Sequence, residues 1–229
     1  MTVETPTPTN ADETAGDAQA ASTKRRSQDR LLVVFLTIAV IAAGILVAPR
    51  ILSVVRPHLY TGTVFQESAL APPLDGLVDA DGNRVDLSAY DGNVLLVFFG
   101  YTNCPDVCPG TLGRASLAVA ELGVDADRVD LLLVGVDPAR DSADDLEAYV
   151  DLFDPRFRAA TGDTAELAAV ASRYGVYYAP NAEPDENGNY LVDHTASLVG
   201  IGPDGSLRVL WAPDVEVEAL TADLEALLG

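Results

Sequence analysis

Cysteine, histidine and lysine are scarce in this chain of 229 residues, which holds two, two and one of them respectively. Each shortage excludes something. With Cys104 and Cys108 as the only cysteines, thiol chemistry is confined to one place. As a purely structural disulfide the pair would close a loop of five residues and stabilise little, because the entropic gain falls with loop length. Zinc with three protein ligands would normally take a fourth, and beyond His194 the only other candidate is the juxtamembrane His58. Lysine stops at Lys24, and after Arg56 the chain carries 30 acidic residues against eight basic ones, spread along its length. A surface of that sign repels nucleic acid and anionic lipid, and at low salt it works against the compact state. A halophilic protein, whose counterions screen the repulsion, is the expectation.

Charge is absent altogether from residues 31–49, flanked by Lys24, Arg25, Arg26 and Arg30 on one side and Arg50 and Arg56 on the other. Nineteen residues of helix span about 28 Å, enough for one pass through a bilayer core. Four bases before the run against two after it predict a cytoplasmic N-terminus and an extracytoplasmic remainder, a single-pass protein of the cell membrane. A cleaved signal peptide is the rival reading; the run is long for one, and no small-x-small site follows. Residues 1–30 are polar without apolar periodicity and are expected to be a disordered cytoplasmic tail. Residues 50–73 read as a linker and residues 74–229 as the folded domain, ample for one core.

Within that domain Leu74–Leu87 predicts an N-terminal hairpin around Asp81-Gly82-Asn83. The continuous apolar run Val94–Phe99 predicts a central strand buried on both faces. Helices are expected at Pro109–Leu122, Ser142–Phe153 and Thr164–Tyr174, with a strand at Val129–Val136, a short segment at Phe157–Thr161 and a strand at Val176–Tyr178. A second hairpin, Ser197–Gly202 with Ser206–Trp211, and an amphipathic helix at Val215–Leu228 close the chain. Parallel units first, an antiparallel hairpin later and a dithiol after the first buried strand predict an α/β, thioredoxin-like fold.

Cys104 and Cys108 then fall at a strand-to-helix turn. Pro109 is expected in the first helical position with Cys108 at or near the N-cap. The free N–H groups and dipole of that helix start favour thiolate over thiol, the form that binds soft metals or attacks disulfides. His194, in Val192-Asp-His-Thr195, reads either as a satisfied histidine at a strand entrance or as a third ligand. The strand it opens should lie in the sheet of the strand feeding Cys104, and Asp193 could orient the ring, which favours the ligand. Two thiolates and an imidazole suit Cu(I).

Gly100-Tyr-Thr-Asn-Cys-Pro-Asp-Val-Cys-Pro109, Gly135-Val-Asp-Pro-Ala-Arg-Asp141, Thr161-Gly-Asp-Thr-Ala-Glu166 with Tyr174-Gly-Val-Tyr-Tyr178, and Val192-Asp-His-Thr195 together resemble the Sco (SenC) family of copper chaperones. The resemblance runs from about Leu74 to Leu228. It implies a thioredoxin-like domain outside the membrane that binds copper, Cu(I) or Cu(II), and serves assembly of the CuA centre in cytochrome c oxidase subunit II. By that likeness the copper ligands are Cys104, Cys108 and His194, while Asp106 and Asp137 tune them from close by, beside Asp193, whose place next to His194 in the chain suits it to orient the ring. Asn103 stands where many relatives carry histidine, and Asn181–Asn189 is similar to the mobile loop that precedes the family's histidine. Two other roles remain open: a thiol-disulfide oxidoreductase, with Cys104 attacking and Cys108 resolving, and a peroxidase, for which Arg114 is the only nearby base.

Overall fold

The structure is a computed structural model that describes residues 36–38, 41, 58–65, 69–186 and 188–229. The chain divides into two units, Met1–Pro57 and His58–Gly229. In the first, residues 36–38 and 41 are helical; the expected tail at 1–30, the rest of the expected anchor at 31–49 and residues 50–57 lie outside the described residues. Among the described residues no helix is long and apolar enough to cross a membrane.

The second unit is built on a six-stranded sheet. Its strands are β1 (Thr63–Val64), β2 (Val94–Gly100), β3 (Val129–Gly135), β4 (Arg158–Ala160), β7 (Leu198–Ile201) and β8 (Leu207–Trp211), in the order β1-β8-β7-β2-β3-β4. β5 (Tyr178–Pro180) and β6 (Val192–His194) form a separate antiparallel pair. The apolar run Val94–Phe99 is why β2 sits in the centre. All seven of its residues are buried, with β3 parallel on one side and β7 antiparallel on the other. The helices are α1 (Val107–Glu121), α2 (Ala143–Val150), α3 (Thr164–Arg173) and α4 (Val217–Leu228). Ser142 and Asp163 begin α2 and α3 with reciprocal capping boxes, so each start is held by its own side chains. This is the expected thioredoxin-like α/β arrangement, parallel through β2, β3 and β4 and antiparallel through β7 and β8.

Several local features differ from expectation, among them the strand expected at Val176–Tyr178, which is β5 at Tyr178–Pro180 and pairs with β6 outside the main sheet. The N-terminal hairpin shrinks to one bridge, Val78 with Arg84, because Val78 also bridges Thr161 and Asp79 binds both the backbone and the amide of Asn83 to make a tight turn. α1 starts two residues early, at Val107, with Asp106 at the N-cap; Pro109 falls in the first turn, where its missing N–H is one of those that lack a partner anyway. The described part of the expected linker lies in the sheet: β1 pairs with β8, and Phe65, Ala69 and Ala71 continue the backbone pairing along Arg208, Leu207 and Gly205. His58 also belongs to this unit, with Nε2 at 2.6 Å from Oδ1 of the buried Asp223 on α4. Finally, His194 ends β6, outside the main sheet; only the strand after it, β7, lies beside β2.

Candidate metal centre

β2 ends at Gly100, and the chain turns through Tyr101–Asp106 into α1. The turn is braced by Asp141, 2% exposed, whose carboxylate accepts the Thr102 N–H at 2.8 Å and its hydroxyl at 2.5 Å. Cys104 is 8% exposed and Cys108 is fully buried; neither is in a disulfide. Because α1 begins at Val107, the Cys108 N–H is free of helical pairing and points at the Cys104 sulfur, 3.3 Å away. β2 must end in glycine: a Cβ at Gly100 would stand 2.9 Å from the Cys108 sulfur.

His194 arrives from the β5–β6 hairpin. Its Nε2 lies 3.5 Å from Cys108 Sγ, and its Nδ1 is 3.1 Å from the Val192 carbonyl, the place in which Asp193 was expected to act. Tyr101 sets its ring edge-on to the imidazole at 5.5 Å between centroids, and its hydroxyl accepts the Val192 N–H at 3.1 Å. The sulfurs of Cys104 and Cys108 and a ring nitrogen of His194 all lie within 4.8 Å of one another. Three donors bound at about 2.0 to 2.3 Å around one ion stand about 3.5 to 4.0 Å apart, so this donor set closes on a metal with a contraction of about 1 Å at most across its widest pair.

The two thiols are electrostatically unequal. Hydrogen bonding from the Cys108 thiol holds Cys104 down, to a pKa of about 5, against the cost of its burial; the N–H groups of Cys108 and Asp106 and the nearby His194 add to the effect. Cys108 is pushed up, first because its proton is the one shared with Cys104 and then by burial. Cys104 is therefore the thiolate and Cys108 the thiol when no metal is bound.

Of the three aspartates expected beside the site, Asp106 is exposed at the N-cap with no side-chain capping bond, and Asp193 is exposed. Asp137 is buried; it pairs with Arg140 and accepts the Tyr190 hydroxyl at 2.6 Å. Arg114, the candidate base for peroxide chemistry, donates to the Pro213 carbonyl. Sequence reasoning did not single out Tyr101, Arg140, Asp141 or Tyr190. Arg140 and Asp141 stand in the quoted Gly135–Asp141 motif, where their type was visible and their targets were not.

A family profile described as SCO1/SenC matches residues 72–229. The human Protein SCO1 homolog, mitochondrial, is 40% identical over 126 residues, which cover 54% of this chain and 42% of that protein. Protein SCO1 homolog 1, mitochondrial, of Arabidopsis thaliana is 32% identical over 159 residues, 68% of this chain and 46% of that protein. The matched region thus spans less than half the length of these relatives. Among solved structures, copper-bound ScoI of Bradyrhizobium japonicum is 36% identical with a TM-score of 0.61, covering 69% of this chain and 98% of that one. Apo Sco1 of Thermus thermophilus is 34% identical with a TM-score of 0.65, covering 74% and 98%. The motifs, the sheet that carries them and these likenesses agree, and the chain belongs to the SCO1/SenC family.

Proposed function

We propose that this protein is a membrane-anchored, extracytoplasmic copper chaperone. It binds Cu(I) through Cys104, Cys108 and His194 and delivers it to the CuA site of cytochrome c oxidase subunit II, or reduces the cysteines of that site. The observation that carries the reading is the convergence of two sulfurs and one imidazole nitrogen within 4.8 Å, in a family with a copper-bound member of known structure. Two soft thiolates and an imidazole select Cu(I), the cargo here, over harder ions. Three protein donors leave room for an incoming acceptor ligand, so transfer proceeds by ligand exchange. The basic flanks of residues 31–49 support the anchor, and the acidic balance after Arg56 supports a halophilic setting.

The inequality of the thiols favours a second activity at the same residues. The Cys104 thiolate attacks one sulfur of a partner disulfide, whose other sulfur leaves as a thiolate and takes a proton. Cys108 then gives up its proton and attacks Cys104 Sγ, freeing the second partner thiol and leaving a Cys104–Cys108 disulfide. The partner gains the two electrons that this chain loses, and an external dithiol must return them. Asp106 and Asp193, both exposed and close to the ligands in the chain, add negative charge that favours a cationic cargo.

The test is an anaerobic Cu(I) titration of the reduced protein in high salt against a chelator of known affinity. One tight equivalent is expected, weakened in His194→Ala and lost in Cys104→Ser and Cys108→Ser. His194→Ala should retain dithiol activity. An affinity unchanged by His194→Ala would remove the three-donor site, and no tight copper at all would leave the thiol oxidoreductase as the function.

A further inference from the structure

The loop from Val136 to Asp141, between β3 and α2, reaches both halves of the centre. On the thiol side, Asp141 holds Thr102 by two hydrogen bonds, and the Val136 N–H donates to the Gly100 carbonyl at 2.9 Å. On the histidine side, Asp137 accepts the Tyr190 hydroxyl, and Arg140 donates to the Tyr190 carbonyl at 2.9 Å while its guanidinium lies 3.6 Å from the centre of the Tyr190 ring. Asp137 and Arg140 are themselves paired. Tyr190 is thus gripped at its hydroxyl, ring and carbonyl by two residues of one loop. Two residues on, Val192 donates its N–H to Tyr101 and offers its carbonyl to His194 Nδ1.

We infer that this loop is a bracket that sets the distance between the imidazole and the thiols, and that Tyr190 is the positioning residue through which it holds His194. The β5–β6 pair is a poor frame by itself: three residues on each strand, joined by residues 181–191, and a lone two-stranded ribbon is marginal in water. The strength therefore comes from the bracket, where a buried carboxylate accepts a phenol and a guanidinium stacks on an aromatic face. Releasing Tyr190 lets the hairpin swing and takes the histidine from the donor set, while Asp141 keeps the thiol turn in place. Arg140 and Asp137 touch neither sulfur nor imidazole through any bond described; Asp137 acts on the site through Tyr190, and Arg140 through Tyr190 and through the Tyr101 ring, whose centre lies 5.8 Å from its guanidinium.

Tyr190→Phe removes the hydroxyl and keeps the ring, and it is tested in two backgrounds. In the otherwise native protein, Cu(I) affinity should fall about tenfold, the loss of one hydrogen bond to a charged acceptor. In His194→Ala it should not change, because the residue being positioned is gone. In the reduced metal-free protein, exchange of the Val192 amide should quicken about tenfold while that of the Thr102 amide stays as it was. Asp137→Asn provides the same comparison should the phenylalanine variant fail to fold. An equal loss of affinity in both backgrounds, or unchanged Val192 exchange, would overturn the inference. The binding arm rests on the proposed copper function. If the native protein holds no tight copper, that function fails and the exchange arm still decides the bracket.

Discussion

Two cysteines four positions apart have been given opposite roles by their surroundings. Cys104 keeps 8% of its surface exposed and collects the N–H groups at the start of α1, while Cys108 is fully buried and keeps the proton. A pKa of about 5 makes Cys104 a thiolate through the neutral range. Alkylation of the reduced, metal-free protein should therefore be nearly flat from about pH 7 to 8.5 and fall only as pH drops toward 5, where an ordinary thiol of pKa about 8.5 would rise about tenfold per unit. A tenfold rise between pH 6 and 7 would contradict the assignment. The linkage has the same sign. The folded value lies below the unfolded one, so the contribution of Cys104 to stability is complete above the unfolded pKa and disappears as pH falls through about 5. Gly100 is the other residue whose identity the site dictates. Gly100→Ala would press on the Cys108 sulfur and the Phe98 ring, 2.9 and 3.0 Å from the added carbon. A loss of about 1 to 3 kcal/mol in urea denaturation is expected, with a parallel fall in copper affinity; no change in either would mean that the strand end can relax freely.

At the scale of elements, the site is a meeting of three: the end of β2, the start of α1 and the end of β6. The first two are consecutive in the chain and meet by local geometry. The third comes from a hairpin outside the main sheet and depends on tertiary contacts through Tyr101 and Tyr190. An edge element has a comparable dependence. β1 is two residues long, both exposed, yet it extends the sheet beyond β8, and the next residue donates its N–H to the Arg208 carbonyl at 3.0 Å. Phe65→Pro deletes that donor, and a loss of about 1 kcal/mol is expected. Equal unfolding midpoints in variant and native protein would show that β1 contributes nothing to the fold.

Over the whole domain, eight basic residues cannot neutralise 30 acidic ones, and most of the ion pairs formed have exposed partners worth about 1 kcal/mol or less each. The remaining repulsion is long in range and is screened by salt. The melting temperature should rise with potassium chloride well beyond 0.15 M; a Tm independent of salt would end the halophilic reading. Among the described residues Asp137, Asp141, Asp154 and Asp223 are buried exceptions, and the last has the most partners in distant elements. Asp223, 1% exposed on α4, accepts the Trp211 indole N–H at 2.7 Å and the Thr61 N–H at 2.9 Å and pairs with His58, tying the first described residues of the domain to its last helix and to β8. Asp223→Ala leaves those donors without an acceptor and should cost at least about 2 kcal/mol. A smaller loss would mean that water replaces the carboxylate.

Much of this protein was determined by sequence alone, where the cause is local. Periodicity and apolar runs mark β2, β3 and the four helices because burial on one or both faces imposes its own spacing. Cys104 and Cys108 could be read as a site because a strand, a tight turn and a helix start follow one another in the chain. His194 was legible through chemistry, as one of two histidines, and through its motif. Distance decided the rest. Asp223 looks like any helical acid until α4 packs beside Trp211 and the segment after Pro57. Arg140 and Asp141 look like turn residues until the loop reaches Thr102 and Tyr190, 39 and 50 positions away, and Asp137, marked by its motif, shows its partner Tyr190 only in the fold, 53 positions away. Propensity and pattern record what a residue prefers among its neighbours in the chain, whereas the partner of a buried charge is chosen by the packing of distant elements, and that choice exists only in the tertiary structure.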